Sequence, residues 1–348
     1  MCSAKCTLFC SIINSFRSTR DVRNFLGIFL HLGCLFYRKK PKLVIDNDAG
    51  ADDAMALFLA LLHEKYFDGP ELIAMTTGNG NTKEDNVCIN SQRILKIARR
   101  QDIPIYRGCK ESLVTTPTTN SYYGIDGLGD SGMLNTDLVP AQKENAAIKL
   151  IELSKLHEGA LTVVTIGTLT NIAMTLKLDP DFLNRLAQLY IGAGHIESEK
   201  HLKPEFNAHM DVEAYHIVMQ YATPSKVTVF PFSQTYESLS LPTSWRKDVL
   251  GAIDTEIMRA LNIFESISIP KELTWTALDP ATVAIAVKPE LVKEYKYSKN
   301  DIILCGKRGI NTNTFVEEEE ANVRIVYSVK DEEYKKFLID VFSADENK

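Results

Sequence analysis

The feature that most constrains this chain is a short apolar run that leads directly into a turn and a second apolar segment. Leu43, Val44 and Ile45 form a run of the apolar, β-branched type that a buried strand requires. Gly50 then allows a tight turn, and the apolar periodicity of residues 54–62 predicts a helix. The segment therefore predicts a strand, a turn and a helix in immediate succession.

Four aspartates lie where the predicted strand ends and the helix begins, namely Asp46, Asp48, Asp52 and Asp53. Aspartate is common in turns, at helix caps and in first helical turns, so a single pair would not indicate a site. Four carboxylates this close together would repel one another unless a bound cation compensates their charge. Clustered oxygen ligands suit Ca²⁺ or Mg²⁺ better than Zn²⁺. The segment therefore favours a divalent-cation site, and plain turn and capping residues are the alternative.

The composition is that of an ordinary water-soluble globular protein. Of the 348 residues, 45% are hydrophobic and 24% are charged, so the chain can bury a full core. The formal net charge of -6 argues against nucleic acid or an anionic membrane as the main partner. The seven cysteines have no zinc-binding spacing and indicate reduced thiols, in keeping with a cytoplasmic location.

Residues 1–40 differ from the rest of the chain. They contain one acidic residue, several basic residues and two apolar runs, over residues 6–16 and 25–37. The second run is shorter than the roughly 20 residues of a membrane-spanning helix. We therefore expect an N-terminal extension that is either a targeting segment or disordered. A targeting segment would make the protein secreted or organellar.

Strand-like runs alternate with helix-like runs over residues 41–348, and no repeat or linker divides them. This alternation predicts one α/β domain with an open, mainly parallel twisted sheet, helices on both faces and a Rossmann-like core. A helix is expected over residues 141–157, residues 243–264 are expected to be mostly helical, and a strand is expected over residues 227–232.

Several polar or small residues follow predicted strands. Asn79, Gly167 and Gly194 each do so, as does the aspartate segment. Ligands of such sheets bind at the carboxyl ends of the strands, so these residues are expected to lie together at one binding site.

The pattern Asp-x-Asp-x-Gly-x-Asp-Asp-Ala-x-Ala-Leu, which runs from Asp46 to Leu57, resembles the N-terminal signature of the inosine–uridine-preferring nucleoside hydrolases. These are calcium-dependent enzymes that cleave the N-glycosidic bond of ribonucleosides. Ala49 stands where the family usually has Pro. Further fragments with the family's pattern extend the resemblance over about residues 42–345: Gly78-Asn79, Gly167-Thr168-Leu169-Thr170-Asn171, Glu205-Phe206-Asn207, Asp211-Val212-Glu213-Ala214 and Leu278-Asp279-Pro280.

The resemblance implies a metal site and a general base. Asp48 would act as the base and as a metal ligand. Asp53, Asp279 and the backbone carbonyl of Ile166 would also bind Ca²⁺. The ion would clamp the 2′- and 3′-hydroxyls of the ribose, position the attacking water beneath C1′ and lower its pKa.

The resemblance also implies residues that hold the ribose. Each buried hydroxyl of a sugar needs a hydrogen-bond partner. Asn79 would contact both the ribose and the attacking water. Asp46 would support the other carboxylates from behind, and Asp211 is expected to cap the following helix. The further ribose contacts are Asp52, Glu205 and Asn207.

Three further positions, besides Ala49, depart from the family's pattern. Many members have His before the final metal carboxylate, where it is thought to protonate the leaving base, but this chain has Leu278. Glu199 and Tyr123 also replace residues that are commonly Asn and His. Some purine-preferring members lack this histidine and rely on aromatic stacking against the base. The resemblance to such members favours purine nucleosides over uridine as substrates of this chain. The candidates for contact with the base are Trp275 by stacking, and His195, His209 and Tyr123 as donors.

Two other functions remain open at this level. A haloacid-dehalogenase-like phosphatase also begins with a strand and Asp-x-Asp and uses Mg²⁺, but it would not need Asp52 and Asp53. A nucleoside- or sugar-binding member of the same fold that has lost turnover is suggested by the missing His. The resemblance implies a nucleoside partner and a role in purine salvage and nucleoside catabolism. Family members are commonly homodimers or homotetramers.

Overall fold

The computed structural model describes residues 40–345, apart from residues 120 and 134. The predicted N-terminal extension lies outside this range except for its last residue, so the domain boundary stays a prediction. Among the helices in the described range, none combines the length and the apolar character that crossing a lipid bilayer requires.

The strands of the described residues are β1 (Lys42–Asn47), β2 (Glu71–Thr77), β3 (Ile105–Arg107), β4 (Leu161–Thr165), β5 (Gln188–Gly192), β6 (Val227–Phe230), β7 (Leu241–Pro242), β8 (Thr274–Trp275), β9 (Val292–Ile302), β10 (Asn311–Phe315) and β11 (Val323–Val329). Nine of them form one sheet in the order β10-β9-β11-β6-β5-β4-β1-β2-β3, and β7 pairs with β8 separately. Neighbours from β11 to β3 are parallel, whereas β9 pairs antiparallel with β10 and β11. The predicted mainly parallel sheet is confirmed.

The α-helices are α1 (Ala51–Tyr66), α2 (Glu84–Ile97), α3 (Ala146–Leu156), α4 (Thr170–Leu178), α5 (Phe182–Arg185), α6 (Phe206–Met210), α7 (Val212–Tyr221), α8 (Phe232–Leu239), α9 (Thr243–Trp245), α10 (Glu256–Phe264), α11 (Leu278–Val287) and α12 (Asp331–Ser343). A π-helical turn, Arg246–Leu250, follows α9, and 3₁₀ turns lie at Ile269–Lys271, Pro289–Leu291 and Glu318–Glu320.

The two faces of β1 belong to different hydrophobic cores, because side chains alternate along a strand. Leu43 and Ile45 lie in a core that includes residues of α1, α10, α11 and α12. Val44 lies in the other core, with residues of α4 and α7. Helices therefore cover both faces of the sheet, as the sequence predicts.

The strand order reverses at β1. The chain adds β2 and β3 on one side of β1 and then crosses to place β4, β5 and β6 on the other side. In open α/β sheets the loops on either side of such a reversal diverge and leave a crevice at the carboxyl ends of the strands. The aspartate segment leaves β1 at this crevice.

Several predicted boundaries are wrong. The helix expected over residues 141–157 begins only at Ala146, and the strand expected over residues 227–232 ends at Phe230 because a helix begins at Phe232. Residues 243–264 are mostly helical, as predicted, but the π-helical turn and residues 251–255 separate α9 from α10. The antiparallel strands β9 and β10 were not predicted.

Candidate active site

The turn after β1 folds around the carboxylate of Asp53. One oxygen accepts a hydrogen bond from the backbone N–H of Asp48 at 3.1 Å, and the other accepts one from Gly50 N–H at 2.8 Å. Ala49, between these two donors, has a φ of 36°, in the left-handed region. The first turn of α1 thus orders the turn that presents Asp48 to the crevice.

Asn81 holds the carboxylate of Asp48 from the opposite side. Its backbone N–H donates to Asp48 Oδ2 at 2.8 Å, and its side-chain amide donates to Asp48 Oδ1 at 3.0 Å. The same amide nitrogen also lies 3.1 Å from Asp53 Oδ2. The sequence does not single out Asn81, because the segment Gly78-Asn79-Gly80-Asn81 has the composition of an ordinary turn.

Asp52, Asp53 and Asp279 form an acidic cluster. One carboxylate oxygen from each lies within 4.8 Å of the others, and the described residues contain no second group with ligand atoms this close. Asp52 and Asp53 come from the first turn of α1, and Asp279 comes from the first turn of α11. Asp48 adjoins the cluster through a side-chain hydrogen bond with Asp53. The geometry places Asp52, which the resemblance assigns to the ribose, directly among the potential metal ligands.

Burial makes these carboxylates hard to ionise together. It raises the pKa of Asp48 to about 6 and that of Asp52 to about 7. Burial, followed by the charges of neighbouring carboxylates, raises the pKa of Asp53 and Asp279 well above the usual range. A divalent cation would offset this repulsion, and the oxygen-rich donor set fits a hard ion such as Ca²⁺ or Mg²⁺. The residues therefore fit the metal that the resemblance implies.

Asp46 is buried behind the crevice. Its carboxylate accepts hydrogen bonds from Thr76 Oγ1 at 2.5 Å, Asn171 Nδ2 at 2.8 Å and Thr165 Oγ1 at 3.3 Å. Burial raises its pKa to about 6. These contacts join β1, β2, β4 and α4, which agrees with the supporting role expected of Asp46.

A pocket of about 240 Å³ lies beside the acidic cluster. Three of the predicted ribose contacts, Asp52, Glu205 and Asn207, line it together with Asp279. No lysine or arginine is among its lining residues in the described part of the chain. Its other lining residues are Asn81, Tyr122, Tyr123, His195, Pro204, Phe206, Phe232, Thr276 and Leu278.

Glu205 and Asn207 are held rigidly at this pocket. The Glu205 carboxylate accepts from the backbone N–H groups of Asn207 and Ala208, which caps α6, and from Gly194 N–H at 2.7 Å. Burial raises its pKa. The Asn207 amide donates to the backbone carbonyl of Ile166 at 2.9 Å, which is the carbonyl expected to bind the metal.

Asn79 offers a free donor at the end of β2. Its side-chain nitrogen is buried and has no hydrogen-bond partner among the described residues. Its backbone is fixed, because the carbonyl accepts from Thr168 Oγ1 at 3.1 Å and the N–H donates to the carbonyl of Cys109. A buried amide left without a partner is costly, so this group is suited to a ligand.

The four candidates for contact with the leaving base lie in different places. Tyr123 and His195 line the pocket, and Tyr123 hydrogen-bonds to Asp52. His209 is exposed and does not line it. Trp275 is buried and lines a neighbouring cavity of about 320 Å³, which shares Tyr122, Tyr123, Phe232 and Thr276 with the pocket. Asp211 caps α7 by accepting from Ala214 N–H, as expected.

The family model for the inosine-uridine preferring nucleoside hydrolases matches residues 43–336. The chain therefore belongs to this family of hydrolases, which act on the N-glycosidic bonds of nucleosides. The alternative of a haloacid-dehalogenase-like phosphatase is wrong, because this family accounts for almost the whole described chain.

Individual relatives agree with this assignment. The inosine-uridine preferring nucleoside hydrolase of Crithidia fasciculata is 30% identical over 280 residues, which cover 76% of this chain and 84% of that protein. The probable uridine nucleosidase 2 of Arabidopsis thaliana is 29% identical over 265 residues, or 72% of this chain and 79% of that protein. The solved structure of an inosine-guanosine nucleoside hydrolase superposes with a TM-score of 0.76 at 26% identity and covers 86% of this chain and 98% of its own.

Proposed function

We propose that this protein is a calcium-dependent ribonucleoside hydrolase that favours purine nucleosides and releases the free base and ribose. The acidic cluster carries the proposal, because Asp52, Asp53 and Asp279 gather oxygen ligands beside a pocket with no lysine or arginine among its described lining residues. Ca²⁺ would be held by these residues, by Asp48 and by the carbonyl of Ile166, and it would supply Lewis-acid polarisation of a water molecule.

The ribose would lie against polar groups that the fold has already fixed in place. Glu205 and Asn207 reach the pocket from the N-terminus of α6, and their remaining hydrogen-bonding capacity faces the sugar hydroxyls. The unpartnered amide of Asn79 donates to the ribose or to the attacking water. Because Glu205 and Asn207 are already held by hydrogen bonds before the substrate arrives, little ordering entropy is lost on binding at these two side chains.

Asp48 is the general base of the proposed reaction. Water attacks C1′ as the N-glycosidic bond breaks through an oxocarbenium-like transition state. The proton of the attacking water passes to the Asp48 carboxylate, and the bonding electrons leave with the base. Asn81 and the turn around Asp53 keep the Asp48 oxygens in a fixed direction, which is what a positioned base requires.

Support for a purine preference comes from the aromatic cavity next to the pocket. Tyr122, Tyr123 and Phe232 line both spaces, so a bicyclic base extending from the ribose would meet several rings, including Trp275. Relatives include both a probable uridine nucleosidase and an inosine-guanosine hydrolase. Chromatography of base released from inosine, guanosine, adenosine, uridine and cytidine tests the preference. Faster release from uridine than from inosine would contradict it.

A binding protein without turnover is the second candidate, because Leu278 cannot donate a proton to the leaving base. Calorimetry would separate the two functions. Nucleoside binding without any base release would establish a binding protein without turnover, whereas base release at a steady rate would exclude it.

Two further parts of the proposal concern the protein's setting. A cytoplasmic location agrees with the free cysteines Cys88, Cys109 and Cys305, and cell fractionation tests it. A homodimer or homotetramer is proposed from the resemblance to the family, and light scattering coupled to size-exclusion chromatography tests it.

A further inference from the structure

One wall of the aromatic cavity contains Trp275 and Glu265, which are hydrogen-bonded to each other. Trp275 lies in the short strand β8, which pairs antiparallel with Leu241 of β7. Its indole N–H donates to Glu265 Oε1 at 2.7 Å. Only 7% of the residue is exposed, so the ring forms part of the wall and has little freedom to turn.

Glu265 is itself held by an ion pair. Its second oxygen accepts from Arg246 Nε at 2.7 Å, and Arg246 Nη1 donates to Asn262 Oδ1 at 2.9 Å. The side chains of Arg246 and Glu265 are 0% and 3% exposed. Each oxygen of Glu265 is therefore committed, one to the guanidinium and one to the indole.

An ion pair this deeply buried is a poor way to gain stability. Removing two charges from water costs several kcal/mol per ion, and well-packed apolar residues often do as well or better. Arg246 also begins the π-helical turn, a distortion that frequently accompanies functional sites. The arrangement is explained if the pair orients the group to which it is bonded.

We propose that Arg246 and Glu265 are positioning residues that fix the indole of Trp275 as the surface against which the leaving base is held. This inference rests on the proposed function, in which the base occupies the aromatic cavity. The pair acts on recognition of the base and leaves recognition of the ribose to the residues around the acidic cluster. The fixed acceptor at Glu265 sets the direction of the indole N–H and hence the plane of the ring.

The test uses the only other tryptophan of the chain as its background. Trp245 lies 6.3 Å from Trp275 between ring centroids, so a Trp245→Phe parent leaves Trp275 as the single fluorescent indole. In this parent, the double variant Arg246→Met/Glu265→Met removes both charges and the acceptor of the indole N–H together and approximately keeps the side-chain volumes. Arg185→Met is the matched control, because Arg185 pairs with Asp179 at 2.8 Å and lines neither the pocket nor the cavity.

We expect the double variant to raise KM for inosine about tenfold, the scale set by one lost hydrogen bond. Inhibition by free ribose should change less than twofold, and the emission spectrum of Trp275 should shift. The Arg185→Met control should change none of these. If the double variant does not fold, Trp275→Phe in the native chain removes the same indole contact and should raise KM for inosine with unchanged inhibition by ribose.

An unchanged KM for inosine, or an equal loss of ribose and inosine binding, would overturn the inference. Failure of the proposed function has a different signature. If the Trp245→Phe parent releases no base but inosine still quenches the fluorescence of Trp275, the protein binds nucleoside without turnover and the proposed function fails. In that case, selective loss of the quenching in the double variant still supports the positioning role.

Discussion

Gly80 lies directly against the carboxylate of Asp48. A Cβ built at position 80 would stand 1.8 Å from Asp48 Oδ2, far inside van der Waals contact. Asp48 is completely buried and is held on its other sides by Asn81 and the turn around Asp53, so it cannot move aside without losing those bonds. The absence of a side chain at residue 80 therefore determines where the proposed base sits.

Gly80→Ala should displace Asp48 and lower kcat by at least about 100-fold, since a misplacement of about 1 Å can cost that much. Steady-state kinetics with inosine measures the loss. The matched control is Gly78→Ala, because a Cβ there meets its nearest atom at an ordinary 3.5 Å. We expect the control to retain activity within a few-fold. Equal activity of both variants would show that Asp48 tolerates displacement.

Asp48→Ala should lower kcat by about 10²- to 10⁴-fold, the usual contribution of a positioned general base. The variant should remain folded, because the substitution removes one of several buried carboxylates that repel one another. Thermal unfolding checks the fold, and release of hypoxanthine from inosine checks the rate. Turnover near that of the native enzyme would remove Asp48 from the role of base.

Ca²⁺ should raise the Tm of the native protein by several degrees, because an ion that binds only the folded state stabilises it. Asp279→Asn should reduce this increase, since it removes one carboxylate of the acidic cluster. Asp254→Asn is the control, because Asp254 is exposed and paired with Arg259. Differential scanning calorimetry with and without Ca²⁺ makes the measurement. An undiminished increase in Asp279→Asn would place the ion elsewhere.

His195 should make the fold sensitive to mild acid. Burial, and then the neighbouring His201, lower the pKa of His195 to about 4 in the folded state. An unfolded histidine binds a proton below about pH 6.5. The unfolded state therefore binds the His195 proton first, and the contribution of His195 to folding stability falls as pH drops from about 6.5 to 4.

Denaturant unfolding between pH 4 and 8 tests this dependence. The free energy of unfolding of the native protein, taken relative to that of His195→Gln, should fall as pH drops from about 6.5 to 4 and should be constant above pH 7, because the other titrating groups are common to both proteins. A native curve that does not fall more steeply than that of His195→Gln would mean that His195 titrates normally.

The sequence predicts those elements whose burial is uniform along the chain. β1 is apolar from Leu43 to Ile45 and is buried on both faces, so its pattern is unambiguous. β9 was not predicted, because its sequence is mostly polar and many of its residues are partly exposed at the antiparallel end of the sheet. The region from residue 243 to 264 has helical periodicity, but a buried Arg246 and the π-helical turn interrupt it.

In the candidate site, too, some residues could be predicted from the sequence and others could not. The carboxylates were predictable because their residue types and spacing resemble a known signature. Asn81 and Gly80 were not, since asparagine and glycine are common in turns and their partner Asp48 is 33 positions from Asn81 in the sequence. Trp275 was predicted to stack on the base, but the buried contact to Glu265 could only be found in three dimensions.

Calcium-dependent hydrolysis is tested by measuring release of ribose and hypoxanthine from inosine by the purified protein, before chelation, after chelation and after Ca²⁺ is restored. We predict that release stops when the metal is removed and returns with Ca²⁺. Equal release throughout would contradict a metal-dependent mechanism. Absence of release at every stage, from a protein that binds inosine, would contradict hydrolysis itself.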